Sequence, residues 1–257
     1  MEAQLQSILI TINKNKKLKI MTTINPYQIL GTQHRDGLQR LEDTLNPGMS
    51  FDQVNAIICD YVRSIYFTTG DSFIQNEVNS IIPNAANDYM NCSCNNGYNG
   101  IQTELINLLC KSIICKVPIN SINEHIADVE DNISKSGLTT EEQIPLLMAT
   151  AVGAANYDFW FSKIIAGGGN RWYDTNYFNS NAYVNYANLP YMVAASMLGT
   201  LSSANKAKSY GLIDPPRIVG VDMVSALTAG IGVTAGVTMF KWIARIQSEA
   251  KGGFKLC

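Results

Sequence analysis

Two histidines and six cysteines are the residues of this 257-residue chain with the widest chemical repertoire. A histidine that works as a general base or a metal ligand needs partners within reach of its ring. His34 stands on the apolar face of a predicted helix. Asp36 and Glu42 are near it in sequence, but not at a helical spacing that would form one ligand set. His125 follows Glu124, with Asp128 and Glu130 about a turn further on, and no second histidine repeats that pattern. Both are expected to be core or surface histidines. The cysteines are Cys59, Cys92, Cys94, Cys110, Cys115 and Cys257, without the spacing of a zinc site. They are expected as separate thiols or, in an oxidising compartment, as a disulfide joining Cys92 or Cys94 to Cys110 or Cys115. The chain has no G-x-S-x-G elbow, no Walker loop and no dinucleotide fingerprint. Gly167-Gly168-Gly169-Asn170-Arg171 follows a predicted helix, so it reads as a stop and not as a phosphate cradle. No catalytic, cofactor or metal-binding residue is assigned, and a non-enzymatic role is expected.

Two other segments carry more information. Between Asp222 and Lys241 lie eighteen residues without a charge. That is about the minimum length of a membrane-spanning helix. Within it Gly232 and Gly236 form a GxxxG, bordered by Ala226 and Gly230 at the same four-residue step. Small residues in that pattern let two helices pack backbone to backbone. Lys241, Trp242 and Arg245 would mark one membrane interface and Asp222 the other end. The competing reading of 219–244 is the central helix of a soluble bundle, where small residues serve close packing equally well. Each interior glycine costs about 0.8–1.0 kcal/mol relative to alanine, so either setting must repay it in contacts. The second segment holds Trp172, Tyr173, Tyr177, Phe178, Tyr183 and Tyr186 among asparagines, with Tyr191 just beyond. Exposed, such rings would form a binding surface; buried, they would cap the bundle and fill its core.

Bulk composition narrows the classes. A net charge of −2 implies no polyanion partner, so nucleic acid is not expected. Charged residues make up 16% of the chain, against the usual roughly 25%, while hydrophobic residues reach 46%. Exported and membrane-contacting proteins share that avoidance of charge, and so do chains with an asparagine-rich codon bias. Residues 1–20 look unlike the rest. Lys14, Lys16, Lys17 and Lys19 follow the short apolar run Ile8–Ile12, the reverse of a signal peptide. A non-structural extension with translation starting at Met21 is expected.

The elements that would position these residues read as helices. Asn25-Pro26 opens the first, with Leu30, His34, Leu38, Leu41 and Leu45 at helical spacing, and Asn46-Pro47-Gly48 stops it. Ser50 to Gln53 forms a capping box before Val54, Ile57, Ile58, Tyr61, Val62 and Ile65. A third helix is predicted from Phe73 to Pro83, followed by a loop over 84–100. Ile101 to Ile113 and Ile119 to Ile133 resume helical spacing. The capping box Thr139–Glu142 opens a long helix through Trp160 that contains Pro145. After the long loop near 167–189, a helix runs from about Pro190 to Lys208, and the apolar segment 219–244 completes about eight helices. No strand pattern of convincing length and no repeat is found. The expected fold is all-α, one multi-helix bundle over 21–257.

Three blocks resemble a known family: NPYQILGTQHRDGLQRL (25–41), IADVEDNISKSGLTTEEQIPLLMATAVGAANYDFW (126–160) and VGVDMVSALTAG (219–230). They are similar to an uncharacterised family of Bacteroidota proteins, often exported or lipid-anchored, with a Gly/Ala-rich C-terminal segment. The resemblance implies a bacterial protein and a membrane-associated or exported location. It carries over no functional residues, and this chain departs from the pattern in lacking a recognisable signal peptide. The expected function is insertion or self-association through the C-terminal helix, with a lipid membrane or a second copy as partner, in a toxin-like factor or an envelope component. The alternative is a soluble helical binding protein that uses 171–191.

Mass-spectrometric peptide mapping of the native protein tests the start expected at Met21. No peptide covering Gln4–Leu9 should be recovered, and recovery of one would refute it.

Overall fold

The computed structural model describes residues 25–44, 51–66, 97–166, 189–209 and 230–232. Among these residues the chain is predominantly helical, with seven α-helices and no strand. They are α1 (Gln28–Thr44), α2 (Phe51–Tyr66), α3 (Gly100–Ile106), α4 (Ser112–Cys115), α5 (Ile122–Lys135), α6 (Thr140–Ala166) and α7 (Leu189–Ser209). A π-turn at Asn107–Lys111 joins α3 to α4, and a 3-10 turn at Ile119–Ser121 leads into α5. The all-α fold is as the helical spacings require. The helix expected at 73–83, the start at Met21, the capping box at Ser50 and the loop composition near 84–96 and 167–188 lie outside the described residues.

Helix starts follow from local chemistry. Thr139 and Glu142 make the expected capping box: Glu142 N–H donates to the Thr139 hydroxyl at 3.3 Å, and Thr139 N–H donates to the Glu142 carboxylate at 2.9 Å. From there α6 runs for 27 residues, past Pro145 and beyond the expected Trp160 to Ala166. A second capping box, Asn99 with Gln102, opens α3 at the end of the predicted loop. The spacing that marks it, asparagine followed three residues later by glutamine, was present in the sequence. At Asn25 the outcome differs by two residues. Asn25 Oδ1 accepts from Tyr27 N–H at 2.9 Å, so Pro26 and Tyr27 form a turn and α1 begins only at Gln28. Gly137 closes the α5 end with φ of 75°, a left-handed backbone that suits glycine.

Helix α1 lies parallel to α6, pinned along its length. At its start the Asn25 amide donates to the Leu147 carbonyl at 2.8 Å and to Glu130 of α5 at 2.6 Å. One turn on, Gly31 sits on the α6 backbone: a Cβ there would lie 2.5 Å from the Ala151 carbonyl oxygen and 3.2 Å from Ala155 Cβ. At its far end Glu42 pairs with Lys163 at 2.5 Å, and the same ammonium donates to Gln39 Oε1 at 3.1 Å. Helices α5 and α7 run antiparallel to α6. Asn123 reaches Asp158 on one side, and Asn156 reaches Met192 and Ser196 on the other. Helix α7 is the innermost: from Leu189 to Leu201 every residue is buried except the half-buried Tyr191. A helix apolar all round belongs in the middle of a bundle. Around it Trp160, Leu30, Leu38, Leu41, Ile113, Ile122 and Ile126 are also buried, each contributing about 1.5–3 kcal/mol by leaving water.

The membrane-spanning expectation finds no support in this architecture. Among the described residues no helix is long and apolar enough to cross a membrane, because Ala, Gly, Ser and Thr dilute the apolar character of the central helices. Of segment 219–244 only 230–232 is described, and these three residues are helical and buried inside the bundle. Ile231 is wholly buried and lies against Gly37 of α1.

Gly31→Val should remove at least 1–3 kcal/mol of stability, the range for overpacking, since α1 must lift from the α6 backbone. Gly100→Ala, with open space around its Cβ, should be neutral or mildly stabilising. Urea unfolding of the two variants checks both; an unchanged midpoint for Gly31→Val would mean that α1 is not seated on α6.

Candidate functional site

The polar groups at the centre of the bundle converge on His34. A ring at this place follows from helical spacing. Leu30, His34, Leu38 and Leu41 share the inward face of α1, so the one polar member of that set is carried into the core. Its accessibility is 0%. Facing it from α6 is Asn156, which holds Ser196 of α7 behind it, and Thr200 of α7 and Gly230 lie beside the ring; all four are buried. Asn156 Nδ2 donates to the Met192 carbonyl at 2.9 Å and to Ser196 Oγ at 2.7 Å. The Ser196 hydroxyl donates to the Val193 carbonyl at 2.8 Å, and that of Thr200 to the Ser196 carbonyl at 2.9 Å. Asn156 Oδ1 is left on the side of the ring, and neither it nor either ring nitrogen of His34 has a hydrogen-bond partner of good geometry. Buried polar atoms are rarely left so.

Gly230 fits this junction because it has no side chain. A Cβ on it would lie 3.2 Å from His34 Nδ1, 3.2 Å from Thr200 Oγ1 and 3.2 Å from Val152 Cγ1. Gly230 therefore rests its backbone in a notch whose walls come from α1, α6 and α7. Burial lowers the His34 pKa from 6.5 to about 4, an effect that its contact with Asn156 opposes only weakly. The ring is neutral at pH 7. A neutral imidazole with a single N–H can act as donor or acceptor, but not as a cationic anchor.

Of the residues singled out from the sequence, Gly230 and Gly232 are buried with this junction. Ala226 and Gly236 lie outside the described residues, as do Trp172, Tyr173, Tyr177, Phe178, Tyr183 and Tyr186. Tyr191 packs half-buried against the core. His34 is the core histidine that was expected. His125 is partly exposed, and its Nε2 sits 2.9 Å from the Leu108 carbonyl. The two histidines do not meet. Cys59 and Cys110 are buried and Cys115 is exposed; Cys92, Cys94 and Cys257, and with them the disulfide expected from Cys92 or Cys94, lie outside the described residues. Burial raises the Cys59 pKa, which keeps that thiol protonated and inert. Among the described residues no group of three or more His, Cys, Asp or Glu side chains could hold a metal ion. Sequence reasoning missed Asn156, Ser196 and Thr200. Their one signal was a polar residue within a run of apolar and small ones.

No protein-family model, no curated protein and no solved structure matches the chain. The similarity to Bacteroidota proteins remains an expectation resting on its three sequence blocks.

The lowered pKa of His34 has a consequence for stability. The folded state resists protonating the ring, so its contribution is complete above pH 6.5 and is lost as pH falls from 6.5 toward about 4. The loss at the acid end is on the order of 3 kcal/mol. Urea unfolding at pH 7.5, 5.5 and 4.5, comparing wild type with His34→Gln, should show a gap between the two that changes by that amount in favour of the variant at low pH. A gap constant with pH would contradict it.

Proposed function

We propose that this protein is a non-enzymatic helical bundle that stores an apolar, glycine-interrupted helix at its centre and acts by handing that helix to a lipid bilayer. The observation that carries this reading is the seat of residues 230–232: Gly230 in the notch beside His34, and Ile231 wholly buried between α1 and its neighbours. The segment around them has eighteen uncharged residues, and α7 beside it begins with seventeen more, from Leu189 to Asn205. Two charge-free stretches, 223–240 and 189–205, can trade a protein interior for a lipid one with little electrostatic cost. A diluted apolar character fits the same purpose. A helix that must also fold into a bundle cannot be so hydrophobic that it inserts as soon as it is made. Lys241, Trp242 and Arg245 at the end of the charge-free run supply side chains suited to a headgroup region. The small residues that serve packing within the bundle would serve helix pairing in the bilayer.

Flotation of the full chain with vesicles of phosphatidylcholine and phosphatidylglycerol at pH 7.5, 6 and 5 tests the reading. The protein should stay below the lipid layer at pH 7.5 and move into it under at least one acidic condition. Protein that stays below at every pH, and remains in the supernatant after high-speed centrifugation, would contradict it and return attention to 171–191 as a binding surface. Sedimentation as a defined oligomer without lipid would replace the bilayer by a second copy of this chain.

A further inference from the structure

We propose that the outward face of α3, the π-turn and α4 docks a second copy of this chain, paired antiparallel about Leu108. The proposal does not rest on the bilayer reading and uses neither 189–205 nor 223–240.

The stretch from Gly100 to Cys115 is one continuous helical rod. Its inward side is Gln102, Leu105, Ile106, Leu109, Cys110 and Ile113, all buried. Its outward side is Ile101, Glu104, Leu108, Lys111 and Cys115, all exposed. The steps between these five are three, four, three and four residues, the spacing of a helix-pairing seam. Single exposed apolar side chains need no explanation, and Ile29 on α1 and Ile165 on α6 are of that kind. Ile101 and Leu108 differ in sharing one stripe, 46% and 38% exposed, with the Cys115 thiol at its end. The rod that carries them is braced. At its start the Asn99 amide donates to the Glu142 carboxylate at 2.9 Å, and the Gln102 amide to the Glu142 carbonyl at 2.7 Å. At its middle the His125 ring lies 2.9 Å from the Leu108 carbonyl. A face held in one shape loses little freedom on binding.

Charge identifies the occupant. Glu104 stands four residues before Leu108 and Lys111 three residues after it, while Ile101 and Cys115 stand seven residues to either side. Turned end for end about Leu108, the stripe is therefore complementary to itself. Leu108 meets Leu108 of the second copy, Glu104 meets Lys111, Lys111 meets Glu104, and Ile101 meets Cys115. At a rise of about 1.5 Å per residue the opposed charges fall within roughly 1.5 Å of register, a gap that long side chains close. A parallel pair would set Glu104 against Glu104 and Lys111 against Lys111, and like charges so placed select against it. The antiparallel contact is isologous and closes at two copies. The rod is roughly 24 Å long, and one helix face of that length covers less than the about 800 Å² per partner of a standard interface. The dimer is accordingly weak and concentration-dependent.

Sedimentation velocity of the full chain in reducing buffer, from about 1 to about 200 µM, should show monomer giving way to dimer. Glu104→Lys alone, or Lys111→Glu alone, turns two attractive pairs into two repulsive ones and should raise the dimer Kd by about ten-fold or more. An equimolar mixture of the two variants should dimerise as the wild type does, because each then faces opposite charges, and that recovery excludes misfolding as the cause of the loss. Under oxidation Ile101→Cys should cross-link to Cys115 of the second copy, identified by peptide mapping. Cys115 should not join Cys115 of the second copy, since the two stand about 21 Å apart in the antiparallel pair. Monomer at every concentration would overturn the proposal and leave the stripe to a partner of another kind. A disulfide between the two Cys115 thiols, or no recovery in the mixture, would overturn the antiparallel pairing. An oligomer indifferent to both charge reversals would also overturn it; that oligomer is held elsewhere, and it is the one that counts against the bilayer reading. Absence of vesicle binding leaves the dimer untouched.

Discussion

The close approach of α1 to α6 is the constraint on which the remaining architecture depends. It is possible because Gly31 has no side chain above the Ala151 carbonyl, and because α6 offers the small Ala151 and Ala155 along the contact. Two helices at that distance must be held in one register, and polar fastenings at both ends do so: Asn25 at Leu147 and Lys163 at Glu42. Once that register is set, His34 faces Asn156 on α6. The inward side of α7 then completes the junction with Ser196 and Thr200, and the space left over fits a backbone without a side chain. Gly230 occupies it. The seat of the C-terminal segment is thus a product of the α1–α6 contact and not an independent feature.

This arrangement places its least stable element at its centre. The apolar groups around α7 supply the stability of the bundle. The junction withdraws some of it, by burying an imidazole and an amide oxygen that lack good partners. A core selected for stability alone would have leucine at position 34, at the same spacing as Leu30, Leu38 and Leu41. Histidine there lowers stability and makes it depend on protons. Features that work against the fold in this way are expected where function resides.

Much of the fold was legible in the sequence, because it rests on short-range rules. The 3.6-residue period placed the core faces of α1, α2 and α5, and a threonine followed by glutamate placed the start of α6. The same rules carry His34 into the core, since its neighbours in the period are leucines. Less was legible where distant residues cooperate. Asn156 and Thr200 look like incidental polar residues in apolar helices until α6 and α7 are packed antiparallel. The ambiguity of 219–244 between membrane helix and bundle core could not be resolved from composition. Glycine and alanine permit close packing in both solvents, and of that segment only 230–232 are seen packed in the bundle. Asn99 is the opposite case: its capping signal with Gln102 was local and readable, but the asparagine-rich stretch around it concealed it.

The central claim is that residues 230–232 belong to the bundle core and seat on α1. The most direct measurement is the nuclear Overhauser spectrum of the full chain, labelled at isoleucine δ1 methyl groups, in neutral lipid-free buffer. Ile231 Cδ1 lies against Gly37 at the place where the Tyr61 ring also meets that residue. The account predicts cross-peaks from the Ile231 methyl to the Gly37 α-protons and to the Tyr61 ring. A resolved Ile231 methyl with contacts to neither, in a protein otherwise folded, would contradict it.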